Sequence, residues 1–249
     1  MQIAPPFGYQ EVVPFQKTRK VRLLSPGEVP EFVRQGNAVP VSLTEFQVAA
    51  HDYPIVFTSG DGGKSFAAVA VLGMKTGENL FVSDGGWAHG AYLPAYARRY
   101  PFCMARVNVN KVEQKDRLIC VEKSRLDEEH GEALFDEQGQ PSEKWKALER
   151  LLSEYEADLE RMREMCAILA DYALFEPFTM QATLAKERGG GALQITGMHR
   201  VAENKLENLN AGQLKNLMRK GILGRVYLHL ASLANFARLL DRKAAGTGH

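Results

Sequence analysis

From Trp145 to Leu169 apolar residues recur at alternating intervals of three and four: Trp145, Leu148, Leu152, Tyr155, Leu159, Met162, Cys166 and Leu169. That 3.5-residue period places all of them along one side of a helix, and Ser142 stands where an N-cap is wanted. A helix of about seven turns needs a partner surface of matching length, so this seam constrains the fold more than any other feature. The remaining positions are largely charged. Two uses of the seam are therefore open: packing within the chain, or a homodimer through the 145–169 helix.

The residues before the seam have a different rhythm. Met1 to Pro40 is punctuated by proline, which removes a ladder donor and favours short extended pieces such as Lys20–Leu24. Ser42 or Thr44 caps a short helix over Thr44–Ala50. Ile55–Thr58, Ala67–Gly73, Leu80–Val82, Met104–Val109 and Arg117–Lys123 are β-branched or aromatic runs separated by glycine-rich turns. Their spacing is too short for intervening helices, so an antiparallel sheet is expected. After the seam, Pro177 interrupts the helix, Phe178–Lys186 is expected to resume it, and Ala192–Val201 reads as a strand. Ala211–Arg219, stopped by Lys220-Gly221, and Ile222–Leu240 read as two helices. The expected class is α+β: an N-terminal antiparallel sheet packed with a long helix and a C-terminal helical pair. A β-rich half (1–125) and a mainly helical half (126–249) would form one compact domain.

A formal charge of +1 gives no global case for nucleic acid, whose binders carry a basic excess. Acids gather between Glu122 and Glu137 and bases after Gln213; both read as solvated faces, the second also as a surface for an anionic partner. The N-terminus lacks the basic and apolar regions of a secretory signal, and no apolar run approaches the ~20 residues of a membrane span. Cys103, Cys120 and Cys166 sit in apolar patterns with no CxxC spacing, as buried inert thiols do. A reducing, cytoplasmic location follows as the expectation.

Motifs with chemistry are few. The loop Gly60-Asp61-Gly62-Gly63-Lys64-Ser65 ends like a phosphate-binding loop, but Thr58 stands where the first glycine belongs and a strand follows, so a hairpin turn is expected. His51-Asp52, and Asp84 with His89, offer metal-ligand types without metal-ligand spacing. No nucleophile elbow is present, and the acids Asp127–Glu132 read as a solvated loop. Neither a metal, a cofactor nor a catalytic set is assigned. The segment Asp84–Phe102 is richest in groups suited to recognition. Asp84, Trp87, Tyr92, Tyr96, Arg98, Arg99 and Tyr100 combine rigid rings with guanidinium groups able to hold a carboxylate, a phosphate or a peptide backbone. Such a set serves a protein partner or a small acidic ligand; its plainer reading is rings plugging the sheet and arginines paired with internal acids.

Several blocks carry a family likeness. They are Asp52–Phe57 (DYPIVF), Glu78–Val82 (ENLFV), Trp87 with Tyr92-Leu93-Pro94, and Arg98–Phe102 (RRYPF). Leu134–Ser142, Ile195–Leu209 and Leu228–Arg242 extend the match. With these the chain resembles the bacterial SapC family, named for a component associated with a surface layer. The resemblance implies a cell-surface association, and the Trp87–Phe102 surface with no recognisable catalytic constellation leads to the expectation of a non-enzymatic binding or assembly protein of this type. Many members look like cytoplasmic proteins encoded beside halogenase-like and cupin-like proteins and nutrient-uptake receptors, which keeps an alternative: an enzyme or enzyme accessory holding a peptide or small carboxylate through Arg98 or Arg99. The family supplies no catalytic residues to carry over. One departure is the run Ala88-His89-Gly90-Ala91, smaller than usual, which would loosen the turn after Trp87.

Overall fold

A computed structural model of the chain describes residues 3–83, 86–109, 112–184 and 191–246. In chain order these form β1 (Val12–Pro14), β2 (Lys20–Val21), α1 (Glu31–Arg34), β3 (Ala38–Pro40), α2 (Phe46–Asp52), β4 (Ile55–Thr58) and β5 (Ala67–Val71). There follow β6 (Val82–Ser83), β7 (Gly86–Trp87), α3 (Ala95–Arg98), β8 (Phe102–Val109), β9 (Val112–Glu122) and β10 (Glu132–Ala133). The rest is α4 (Glu143–Asp171), β11 (Phe175–Leu184), β12 (Gly191–Val201), α5 (Glu203–Leu206), α6 (Ala211–Arg219), α7 (Ile222–Ser232) and α8 (Asn235–Gly246). The class is α+β, with a long helix and a C-terminal helical pair, and the strands pair antiparallel throughout the described residues.

Two compact units share the chain: Met1–Val33 with Ala95–Ala157, and Arg34–Pro94 with Asp158–His249. In the first, a three-stranded sheet runs in the order β1-β9-β8, beside the pair β10-β2. Its core joins Val21, Phe102, Val121, Leu134, Trp145 and Leu152, all buried. The Trp145 ring lies 4.8 Å from that of Phe15 and 5.5 Å from that of Phe102. Each such buried side chain contributes about 1.5–3 kcal/mol to holding these elements together.

The second unit is built on a five-stranded sheet in the order β11-β12-β4-β5-β3. The hairpin β4–β5 closes as the glycine-rich loop requires. Within that loop the Asp61 carboxylate accepts hydrogen bonds from the Lys64 and Ser65 amides and the Ser59 and Ser65 hydroxyls. The Ser65 bonds foremost hold its pKa down to about 2. The loop is thus a turn satisfied by its own acid, with no helix behind it. Helix α7 docks on the sheet through a polar contact in an otherwise apolar layer. His229, 0% exposed, donates from Nδ1 to the Ile55 carbonyl (2.7 Å) and accepts at Nε2 from the Val201 amide (3.1 Å). Ser232 accepts from the Ile55 amide at 3.0 Å and donates to the His229 carbonyl at 2.6 Å.

Helix α4 begins where Ser142 predicts: the serine hydroxyl accepts from the Trp145 amide at 3.2 Å. Trp145, Leu152, Tyr155, Met162, Cys166 and Leu169 are buried, and Leu148 and Leu159 are half-buried. Most of the seam is therefore buried within the chain itself. The helix stops at a left-handed Ala173 (φ 53°), with Leu174 N–H bonding back to Leu169 and Ala173 N–H to Ala170. That is the Schellman pattern with alanine in the position glycine usually takes.

Two expectations need correction. Phe178–Lys186 does not resume a helix; β11 is a strand as far as Leu184, and residues 185–190, which include part of the glycine run, lie outside the described residues. Pro177 denies a helix its donor, and Phe175, Phe178 and Thr179 fit a pleated surface better than a helical one. The Phe175 ring stacks on Phe66 at 4.1 Å and meets Phe57 at 4.8 Å. Ile222–Leu240 is two helices, because Leu233 and Ala234 turn the chain between α7 and α8.

Candidate functional site

The recognition segment divides between the two units. Trp87 and Tyr92 belong to the second; Tyr96, Arg98, Arg99 and Tyr100 belong to the first. Asp84 lies outside the described residues.

In the first unit, the single turn α3 passes into β8, and its last residues alternate between interior and solvent. Arg99 is 2% exposed. Its guanidinium carbon lies 4.2 Å from the Tyr96 ring centre, 4.8 Å from Tyr155 and 5.7 Å from Tyr9. Its Nη1 is 3.5 Å from Glu156 Oε1, and Arg117 meets the other oxygen of the same carboxylate. The cage walls are themselves anchored. Tyr96 Oη donates to the Phe7 carbonyl at 2.6 Å and Tyr9 Oη to that of Phe102 at 2.7 Å. Burial raises the pKa of both phenols, so they stay neutral donors. Cys103, beside this cage, has its pKa pushed up to about 12 by burial, which leaves it an inert thiol.

Arg99 is therefore an internal cation that fixes the turn. Each cation–π contact in a desolvated site is worth about 2 kcal/mol, and removing one partner of a buried pair costs about 3–5 kcal/mol. Arg98, one residue earlier, is exposed. Tyr100 is half-buried; its ring lies 5.3 Å from Tyr9 and 5.9 Å from Phe32, and the Arg125 guanidinium carbon is 5.5 Å from its centre. Arg125 pairs with Glu28 at 3.1 Å. Glu28 in turn lines an open cleft of about 720 Å³, whose walls also carry Arg22, Asp127, His130 and Lys144. Of the acids Asp127–Glu132, read from sequence as a solvated loop, Asp127 and Glu132 line this concave surface.

In the second unit, Trp87 is half-buried, its ring stacked on Phe81 at 6.0 Å and near Tyr53 at 6.5 Å. Tyr53 donates its hydroxyl to the Tyr92 carbonyl. Tyr92 leads inward: its amide donates to Asp52 at 2.8 Å and its hydroxyl to Glu45 Oε1 at 2.9 Å. The other Glu45 oxygen accepts from the Ser42 hydroxyl at 2.6 Å and amide at 2.9 Å. Asp158 accepts from the Thr44 hydroxyl and amide and pairs with Arg161 at 3.1 Å. Sequence reasoning missed Glu45 and Asp158. The Ser42-x-x-Glu45 spacing of a capping box could have flagged the first; nothing in the periodicity of α4 distinguishes Asp158 from the charged positions around it. Among the described residues no group of three His, Cys, Asp or Glu side chains is placed to hold a metal, and no helix is long and apolar enough to cross a membrane.

The sequence profile of the SapC family matches residues 18–239, nearly the whole chain. The chain belongs to the SapC family. No curated protein and no solved structure matches it. Within this SapC chain, RRYPF is the segment in which one arginine is turned inward and its neighbour outward.

Proposed function

We propose that this SapC protein is a non-enzymatic binding or assembly protein, of the surface-layer-associated kind that the family resemblance implies. Its recognition surface is formed by Arg98 and Tyr100, with Tyr100 joined through Arg125 to Glu28 on the wall of the open cleft. The observation that carries this reading is the closed Arg99 cage. A turn held by three tyrosines and Glu156 presents its outer residues in one conformation, which lowers the entropic cost of recognition. Half-exposed Tyr and Arg groups beside a concavity are the residue types that anchor protein interfaces. The mixed charge of the cleft suits a protein segment with both signs better than a uniformly acidic ligand. A small carboxylate held by Arg99 would require the cage to open, so Arg99 is not read as a receptor.

The test is affinity capture from lysate of the host, comparing wild type with Arg98→Ala. Arg99 is excluded from the comparison because its loss would disturb the fold. A partner held by wild type and lost, or held at least about tenfold more weakly, by Arg98→Ala is the expected result. Equal recovery of that partner with both forms would overturn the assignment.

A further inference from the structure

We infer that the outer edge of β11 is a dimer interface, on which a second copy of this chain pairs antiparallel with Gln181 opposite Gln181. β11 ends the five-stranded sheet, so β12 lies along one side of it and, among the described residues, no strand lies along the other. In an antiparallel ladder the main-chain groups of successive residues point alternately to the two sides. The Leu174 carbonyl accepts from the Ala202 amide at 2.8 Å, which turns the even-numbered residues of β11 toward β12 and the odd-numbered ones outward. The register shift beyond Phe178 leaves that alternation intact in β11. The additional residue belongs to β12, where Gly197 has φ 76°.

Near the base of the strand the outward groups are guarded. Lys205 Nζ donates to the Phe175 carbonyl at 3.2 Å, and Pro177 has no N–H to offer. Lysine and proline are the usual means by which a sheet edge is closed to other chains. From Thr179 to Leu184 the chain reads TMQATL, with neither a charge nor a proline. The amides and carbonyls of Thr179, Gln181 and Thr183 face outward there, and nothing among the described residues bonds to them. Water satisfies them in a lone chain; their regular order is what makes them a template for another strand.

The segment is complementary to itself. With Gln181 on a two-fold axis, Thr179 of one copy lies opposite Thr183 of the other, and all of these outward groups find partners. No other antiparallel register pairs all of them. Self-pairing sets like charges face to face wherever an edge is charged, and this one carries none. Thr179 and Gln181 are exposed while Met180 between them is buried, so a change at Gln181 leaves the interior untouched. The interface belongs wholly to the second unit.

Sedimentation velocity of the full chain over a wide concentration range is the test. Wild type is expected to show a reversible equilibrium between monomer and dimer. Gln181→Lys should weaken it at least about tenfold, because two ammonium groups then meet across the axis. Added salt should restore part of that loss. Gln181→Glu alone should be weakened likewise, yet an equimolar mixture of the two variants should dimerise at least as tightly as wild type. A merely damaged fold would not recover on mixing. Wild type that stays monomeric at every concentration overturns the inference. So does a dimer undiminished in Gln181→Lys, or a mixture no tighter than either variant alone. Arg98→Ala, in the first unit's recognition surface, should dimerise as wild type does; a dimer lost there would place the contact elsewhere.

Discussion

A buried imidazole whose two nitrogens are both engaged by main chain is tied to one charge state. His229 must be neutral to donate from Nδ1 and accept at Nε2, and burial lowers its pKa from 6.5 to about 4. Between those values the unfolded chain binds the extra proton and the folded one does not. Stability from this residue is therefore complete above pH 6.5 and is lost as pH falls toward 4, by on the order of 3 kcal/mol. Urea unfolding at pH 7, 5.5 and 4.5 should show that decline in wild type and a shallower one in His229→Gln, itself weaker at pH 7. Identical slopes would remove His229 as the cause. The arginines of RRYPF show how far a residue can be read without the fold. Arg98 and Arg99 are chemically the same and adjacent, and the sequence marks both as recognition groups. Only the α3 turn decides that Arg99 enters the cage and Arg98 does not. Tyr92 was legible as important, but not that its hydroxyl serves a buried glutamate.

At the scale of elements, the end of α4 stores a small conformational cost. Ala173 adopts a left-handed φ, which disfavours any residue with a Cβ by about 1 kcal/mol or more. Glycine relieves that cost but gives part back through the greater freedom of the unfolded chain. Ala173→Gly is expected to stabilise the protein by about 0.5 kcal/mol, seen as a higher urea midpoint at unchanged slope; destabilisation would show that the alanine methyl packs usefully. The elements that could be read in advance were those with an unbroken local signal: the α4 seam with its Ser142 cap, and the β4–β5 hairpin with its glycine loop. Those that could not were decided by partners distant in sequence. Phe175–Leu184 has too little alternation to declare itself a strand, and becomes one because β12 pairs along it. The join between α7 and α8 carries no glycine or proline to announce it. There Asn235, which donates to the Ala50 and Tyr53 carbonyls at 2.8 and 3.1 Å, anchors the new helix instead.

At the scale of the whole molecule, each compact unit is assembled from two stretches of chain. A fragment ending at Arg125 keeps β1, β8 and β9 but lacks Leu134, Trp145 and Leu152, half of the residues that fill the first unit's buried core. Such a fragment is expected to show no cooperative thermal transition and no fixed near-ultraviolet dichroism; a sharp transition would mean that the sheet stands without its helix. The same interleaving also has a meaning in time. Strand β4 finds β5 almost as soon as both are synthesised, but its other edge pairs with β12. At about 5–20 residues per second, a ribosome needs on the order of ten seconds to reach that partner. Throughout the interval Ile55, Val56 and Phe57, all destined for the interior, sit on an open strand edge. The nascent chain is most exposed to misassociation in that window, and the SapC fold places its demand for shelter there rather than at its termini.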